Sequence, residues 1–187
     1  MMPEQFGMER AEVGDAKPEK DSAMTTTRRQ EQENRAKAFH EAGHVIIARL
    51  LGWNITKVVL KEERGDRSNT TYETEKWERE DGIRFSLAGE IAQRRHDPKS
   101  LHRFCTYDIA DDQNNAVVAC QYATRKKDVL HIQPDHRKAN AMLNRLIQET
   151  EKLVEQHWAQ VEAVAEALLA KGELSPTDID EAMGRKP

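Results

Sequence analysis

A five-residue segment, His-Glu-Ala-Gly-His at 40–44, constrains the fold of this chain more than any other feature of the sequence. It lies inside the apolar run Ala38–Ala48, which predicts a buried helix. Residues four positions apart lie one turn apart on the same face of a helix, so His40 and His44 can direct their imidazoles at one point. Glu41 follows His40 by about 100° around the helix axis, close to that point. The segment therefore predicts a helix with two convergent imidazoles and an adjacent carboxylate.

This spacing is the HExxH pattern, in which two histidines bind zinc and the glutamate acts as a general base. A random chain of this length contains the pattern at roughly the one-per-cent level or below, and most such copies lie on solvated segments. A glutamate beside a ligand is necessary for hydrolysis and unnecessary for a structural zinc ion. The segment therefore favours a catalytic zinc site with His40 and His44 as ligands and Glu41 as the catalytic base.

Composition excludes several classes of function. The 187 residues predict one domain with a modest core, since 37% are hydrophobic and 33% are charged. The net charge of −4 is spread over interleaved acids and bases, without the basic, aromatic-bearing stripe typical of nucleic-acid binding. No apolar run approaches the roughly 20 residues that span a bilayer. No GxxxxGK[ST] segment is present either. We therefore expect no nucleic-acid partner, no membrane span and no ATP.

The N-terminus and the cysteines predict the location of the protein. The N-terminus lacks the basic and then apolar pattern of a signal peptide. The two cysteines, Cys105 and Cys120, form no CxxC pair and no disulfide framework, which favours reduced thiols packed as small core residues. Together these features predict a soluble, cytoplasmic protein.

The order of patterns along the chain predicts a mainly α-helical fold with a small antiparallel β-sheet. Residues 1–30 are polar, charged and without periodicity, which predicts a disordered or loosely ordered arm before a domain at 31–187. Two strands form the predicted hairpin, whose edge either binds an extended peptide by β-addition or only faces solvent. The predicted elements are a helix from about 30 to 51 stopped by Gly52, strands at 54–61 and 70–74, and helices at 81–95, 106–124, 134–170 (which a break near Thr150 would divide) and 176–183.

A catalytic zinc ion normally takes a third protein ligand and leaves its fourth position for water. The longer motif with a third histidine six residues after the second is absent, because Leu50 stands at that position. The other histidines lie in polar or helix-end surroundings that are typical of surface residues: His96, His102, His131, His136 and His157. The third ligand is therefore sought among the acids.

Three acids, Asp108, Asp111 and Asp112, open an otherwise apolar helix. Counted from Asp112, the inward positions of one helical face hold small apolar residues, namely Ala116, Ala119, Cys120 and Ala123. Asp112 is therefore predicted to point to the interior, whereas Asp111 is rotated toward solvent. Asp108 shares the stripe one turn earlier, where capping of the helix alone would explain it.

A carboxylate on a buried face needs a partner, because burying an unpaired charge is costly. A zinc ion is one candidate partner for Asp112, and an arginine such as Arg94 or Arg95 is the other. The pattern alone leaves this choice open. It also leaves open whether Asp108 rather than Asp112 is the third ligand.

Residues 38–44, the apolar helix after them and the strand at 57–60 resemble the peptidase domain of the FtsH-type proteases. Residues 87–92 are similar to the glycine-containing helix that lies between the two parts of that family's site. Residues 111–116 are similar to its Asn-Asp segment, with Asp111 at the position of the asparagine. The segments that resemble the terminal helices are 153–157, 163–169 and Leu174 with Ile179. The similarity covers roughly residues 34–183, in the same order.

The resemblance implies a zincin-like helical peptidase domain in which His40, His44 and Asp112 bind zinc and Glu41 is the base. This chain departs from the family in lacking its ATPase module and membrane anchor, and the segment after the first strand is shorter and more charged. We therefore expect a free-standing, ATP-independent relative. The hexameric ring of the family is not implied, and the oligomeric state, a homo-oligomer included, stays open.

Three functional hypotheses follow from the sequence. The first is a soluble zinc endopeptidase that hydrolyses unfolded or flexible polypeptides. The second is a binding module that keeps the peptidase fold and the zinc ion but captures a peptide or partner without cleaving it. The third is a helical scaffold in which the HExxH pattern is accidental. Metal content separates the third hypothesis from the others, and hydrolysis separates the first from the second.

Overall fold

The computed structural model describes residues 19–61, 68–74, 78–100, 107–124 and 135–184, with side chains from Thr26 onward and, in the third helix, from Ala110 onward. Within these ranges the chain is mainly helical with a small antiparallel sheet, as predicted. The elements are α1 (Glu19–Leu50), β1 (Asn54–Val59), β2 (Asn69–Glu73), α2 (Arg79–His96), α3 (Tyr107–Ala123), α4 (His136–Gln156), α5 (Trp158–Lys171), β3 (Glu173–Leu174) and α6 (Pro176–Ala182).

Helix α1 is the centre of the domain. Every residue from 36 to 48 is buried, which confirms the buried helix predicted around the HExxH segment. The helix ends as predicted before Gly52, whose φ of 75° lies in the left-handed region that glycine tolerates. It begins at Glu19, earlier than the predicted start near Gln30. Residues 1–18 of the predicted arm lie outside the described residues.

Helix α2 packs along α1, and a glycine on α1 sets their close approach. A Cβ built on Gly43 would lie 2.4 Å from the carbonyl oxygen of Ala88 and 2.8 Å from Cβ of Ala92. Only a residue without a side chain allows the two backbones this separation. The apolar face of α2, including Ile83 and Leu87, is buried against the core. The contact brings the middle of α2 against the HExxH segment.

The three strands form an antiparallel sheet in the order β2-β1-β3. The predicted hairpin is confirmed, with Val58 opposite Thr70 and a register irregularity between Ile55 and Lys57. Strand β3 pairs with β1 through Leu174 opposite Val58 and was not predicted. At two residues it is too short to show an alternating pattern. Among the strands that the structure describes, β2 lies at one edge of the sheet.

The long predicted helix at 134–170 is two helices, and the break near Thr150 is wrong. Helix α4 runs through Thr150, whose buried hydroxyl donates a hydrogen bond to the carbonyl of Leu146 at 2.7 Å and so is satisfied within the helix. The helices separate instead at His157, with φ −109° and ψ 20°. Gly172 ends α5 at a φ of 76°, and Ser175 caps α6 with a reciprocal capping box.

Two other expectations concern membranes and cysteines. Among the described residues, no helix combines the length and the apolar character needed to cross a bilayer. Cys120 is buried in the core as predicted. Cys105 lies outside the described residues.

Candidate metal centre

Helix α1 directs two histidines at one point. His40 and His44 are 3% and 5% exposed, and their Nε2 atoms lie 3.1 Å apart. The rings meet edge to face, with centroids 4.7 Å apart. This geometry follows from their spacing of one helical turn, and it confirms that the two imidazoles converge.

Helix α3 brings Asp112 to the same point. Oδ2 of Asp112 lies 3.3 Å from Nε2 of His40 and 3.0 Å from Nε2 of His44. The inward stripe is confirmed, because Ala116 and Cys120 are each 1% exposed, and Asp111 is exposed as predicted.

The alternative partners of Asp112 are occupied elsewhere. Arg94 pairs with Glu90 and Glu151 on the surface. Arg95 pairs with Glu155 and lies over the ring of Trp158. The arginine alternative for Asp112 is therefore wrong, and the carboxylate faces the two histidines instead.

The three atoms are within a few tenths of an ångström of the separations expected for one face of a zinc tetrahedron. Zinc bonds of about 2.0–2.2 Å to nitrogen and oxygen hold tetrahedral ligand atoms about 3.3–3.6 Å apart. The observed separations of 3.0, 3.1 and 3.3 Å match these after shifts of a few tenths of an ångström. Among the described residues, His40, His44 and Asp112 form the group of side chains able to hold a metal ion. Two imidazoles and one carboxylate suit zinc and leave a position for water.

A backbone carbonyl orients one of the candidate ligands. Nδ1 of His44 lies 2.8 Å from the carbonyl oxygen of Phe85 on α2. When Nδ1 carries the proton and donates to this carbonyl, Nε2 presents its lone pair to the metal position. Nδ1 of His40 is buried and has no hydrogen-bond partner in the described part of the chain. His44 thus has the outer support typical of a metal-binding histidine, and α2 supplies it.

The electrostatics of the metal-free site show how strongly it attracts positive charge. Burial by itself lowers the pKa of His44, but the charge and hydrogen bond of Asp112 and the charge of Glu41 raise it to about 9. Burial acts to raise the pKa of Asp112, yet the two histidines hold it well below its usual range. A proton on His44 thus partly neutralises this site, and a cation would replace that proton.

Glu41 lines the same cavity as the candidate ligands and has a hydrogen-bond partner of its own. It is 2% exposed, and its Oε2 accepts a hydrogen bond from the hydroxyl of Thr70 on β2 at 2.6 Å. Asp112, Glu41 and the histidines share one cavity of about 160 Å³. The residues that line it are His40, Glu41, His44, Ser68, Asn69, Thr70, Phe85, Asp111 and Asp112. The cavity thus joins the candidate ligands, the candidate base and the end of the edge strand.

Helix α2 leaves space for the histidines at a glycine. A Cβ built on Gly89 would lie 2.5 Å from Cε1 of His40 and 2.5 Å from Nε2 of His44. Sequence reasoning placed Gly89 on a helix near the site but did not predict this contact. It did not predict Thr70 as a site residue either. The only sequence signal for Gly89 is a glycine within the buried stripe of a helix.

The remaining candidates lie away from this centre or outside the described residues. His96 stacks on Phe39 with ring centroids 3.7 Å apart, so it is a packing residue rather than a free surface histidine. His136 is exposed at the start of α4, and His157 hydrogen-bonds with Gln160. His102, His131 and the side chain of Asp108 lie outside what the structure describes. Of the two acids considered as the third ligand, Asp112 is the one that the structure places beside His40 and His44.

Comparison with known proteins adds no identification. No model of a known protein family matches the chain, and no curated protein does. The resemblance to the FtsH-type peptidase domain therefore rests on the sequence segments given above. It stays a prediction, as does the zincin-like fold.

Proposed function

We propose that this chain is a zinc metalloendopeptidase that hydrolyses peptide bonds of unfolded or flexible polypeptides without ATP. One observation carries the proposal. The two histidines of the HExxH segment and Asp112 form a triangle of ligand size, and Glu41 lines the same cavity. A structural zinc site has no need of a buried glutamate next to a ligand, whereas hydrolysis requires a base at that place.

The proposed chemistry divides between the metal and one side chain. His40, His44 and Asp112 would hold the zinc ion, which lowers the pKa of water and polarises a carbonyl when it is bound. Glu41 takes a proton from the attacking water as the water oxygen bonds to the carbonyl carbon. The carbon–nitrogen bond then breaks, and Glu41 returns the proton to the leaving amine. The carboxylate therefore ends the cycle in the state in which it began.

The surroundings of the cavity favour an extended polypeptide as substrate. Strand β2 lies at the sheet edge, and Ser68, Asn69 and Thr70 line the cavity beside the candidate base. An extended chain can pair with such an edge through its backbone, independently of its side chains. A folded domain does not present its backbone in this way. The cytoplasmic location and the independence from ATP remain predictions from the sequence.

The test is hydrolysis of an unfolded protein such as reduced casein by the zinc-loaded chain, with zinc content measured for every variant. We expect Glu41→Gln to lose at least about 100-fold in rate and to keep its zinc, because it removes the base but no ligand. Glu31→Gln is the matched control, since it makes the same change at an exposed position of α1. His40→Ala should lose the zinc ion itself.

Three results would contradict the proposal or part of it. Hydrolysis that survives chelation, or that Glu41→Gln leaves unchanged, would refute the enzyme. Zinc near one per chain without hydrolysis of any unfolded substrate would support the binding module. Absence of bound zinc in the wild type would support the accidental helical scaffold.

A further inference from the structure

The hydroxyl of Thr70 donates a hydrogen bond to a carboxylate oxygen of the candidate base. Its Oγ1 lies 2.6 Å from Oε2 of Glu41, and both residues are buried, at 8% and 2% exposure. Hydrogen bonds to a charged acceptor in a buried site are roughly twice as strong as neutral ones. The bond therefore fixes the carboxylate far more firmly than a solvent-exposed contact would.

Strand pairing holds the donor in place. Thr70 on β2 lies opposite Val58 on β1, and Val58 pairs on its other side with Leu174 on β3. The strand to which β2 is hydrogen-bonded is therefore itself held between two strands. Glu41 lies on α1, and 29 residues separate it from Thr70 in sequence. The hydrogen bond thus connects the candidate base on α1 to a residue of β2, whose position is set by strand pairing.

A comparison within the hairpin shows what is particular to Thr70. Thr56 also donates from its hydroxyl to the neighbouring strand, but its acceptor is the backbone carbonyl of Thr71, and that bond is exposed. Such a bond supports the hairpin alone. The bond from Thr70 ends on a side chain that lines the cavity together with the candidate ligands.

We infer that Thr70 is a positioning residue for Glu41, an inference that rests on the proposed peptidase function. A donor on Oε2 holds the glutamate in one rotamer and leaves Oε1 as the oxygen that accepts the proton of the attacking water. Without the hydroxyl, the side chain gains rotamers in which Oε1 no longer faces that water. Misplacement of a reacting group by about 1 Å costs on the order of 100-fold in rate.

The test is a kinetic comparison of zinc-loaded variants on an unfolded substrate. Thr70→Val keeps the shape and removes the hydroxyl, and it should lower kcat about 10- to 100-fold with KM within about twofold. Thr70→Ser keeps the hydroxyl and should recover kcat to within about threefold of the wild type. Thr71→Val makes the same change at an exposed neighbour on β2 and should match the wild type. Zinc content near one per chain in all variants shows that the site has formed.

The outcomes separate this inference from the function on which it rests. If Glu41→Gln abolishes hydrolysis while Thr70→Val retains the wild-type kcat, the positioning role is wrong and the peptidase stands. If Thr70→Ser is as slow as Thr70→Val, or if the loss falls on KM rather than kcat, Thr70 only shapes the cavity and the inference is overturned. If the wild type does not hydrolyse the substrate, or Glu41→Gln is as active as the wild type, the function and the inference fail together.

Discussion

Replacing Gly89 by alanine tests whether the space between α2 and the two histidines is what allows a metal site. The added Cβ would lie 2.5 Å from His40 and from His44, about 0.9 Å inside the 3.4 Å at which ordinary contact begins. Both imidazoles are attached to the buried centre of α1, so they have little room to retreat. Zinc sites tolerate ligand displacements of only about 0.2 Å. Gly89→Ala should therefore displace both rings by several times the tolerance of the site.

The change in folding stability caused by Gly89→Ala follows from two opposing effects. Overpacking a buried contact costs about 1–3 kcal/mol, whereas alanine is favoured over glycine in a helix by roughly 0.5–1 kcal/mol. The folded state should thus lose no more than about 2.5 kcal/mol of stability in the metal-free protein. Zinc affinity should fall more steeply, by at least about 100-fold, because changes outside the ligand set already cost 10–100-fold when they disturb ligand orientation.

The assay is a zinc titration in competition with a chromophoric chelator, paired with thermal unfolding of the metal-free protein. Gly43→Ala is the contrasting control, because its Cβ would meet the carbonyl oxygen of Ala88 at 2.4 Å and Cβ of Ala92 at 2.8 Å. It should cost stability more than Gly89→Ala does. Wild-type zinc affinity in a folded Gly89→Ala variant would refute the geometry of the site.

Three further predictions concern the charge, the protons and the metal of the site. Asp112→Asn keeps an oxygen at the position but removes the charge, so zinc affinity should fall by at least about 10-fold in the chelator titration, while the exposed Glu31→Gln control, outside the cavity, leaves it unchanged. In the metal-free protein, the raised pKa of His44 contributes stability that is full below about pH 6.5 and is lost as pH rises through about 9. Urea unfolding of the chelated protein should therefore show falling stability over that window, and a flat or rising profile would contradict the His44–Asp112 pair. Zinc at 100 times its Kd should stabilise the fold by about 2.7 kcal/mol, seen as a higher Tm that chelation reverses and that His40→Ala does not show.

The part of the site that the sequence predicts is the part that local geometry determines. His40, His44 and Glu41 lie within five residues on one helix, so the helical repeat alone sets their relation. Asp112 is predictable because a carboxylate in line with small apolar residues must face the interior and needs a partner there. In both cases a periodic pattern within one element carries the information.

The unpredicted part depends on contacts between elements. Thr70 reaches Glu41 across 29 residues, and the carbonyl of Phe85 reaches His44 across 41. Neither residue type is unusual where it stands, since a threonine suits a strand and a backbone carbonyl has no sequence signature. Similarly, β3 forms because the left-handed turn at Gly172 places the next two residues beside β1. Such contacts are properties of the assembled fold.

The site is assembled from residues on four different elements of the domain. Helix α1 carries two candidate ligands and the candidate base, and α3 supplies the third candidate ligand. Helix α2 supplies the supporting carbonyl and the space at Gly89, and β2 supplies the donor to Glu41. An isolated HExxH helix would have two imidazoles and a carboxylate with none of these constraints. Metal binding at this centre would therefore require α3, which packs mainly on α2 and α4, to bring Asp112 to the histidines of α1, so zinc affinity would measure tertiary assembly rather than helix formation.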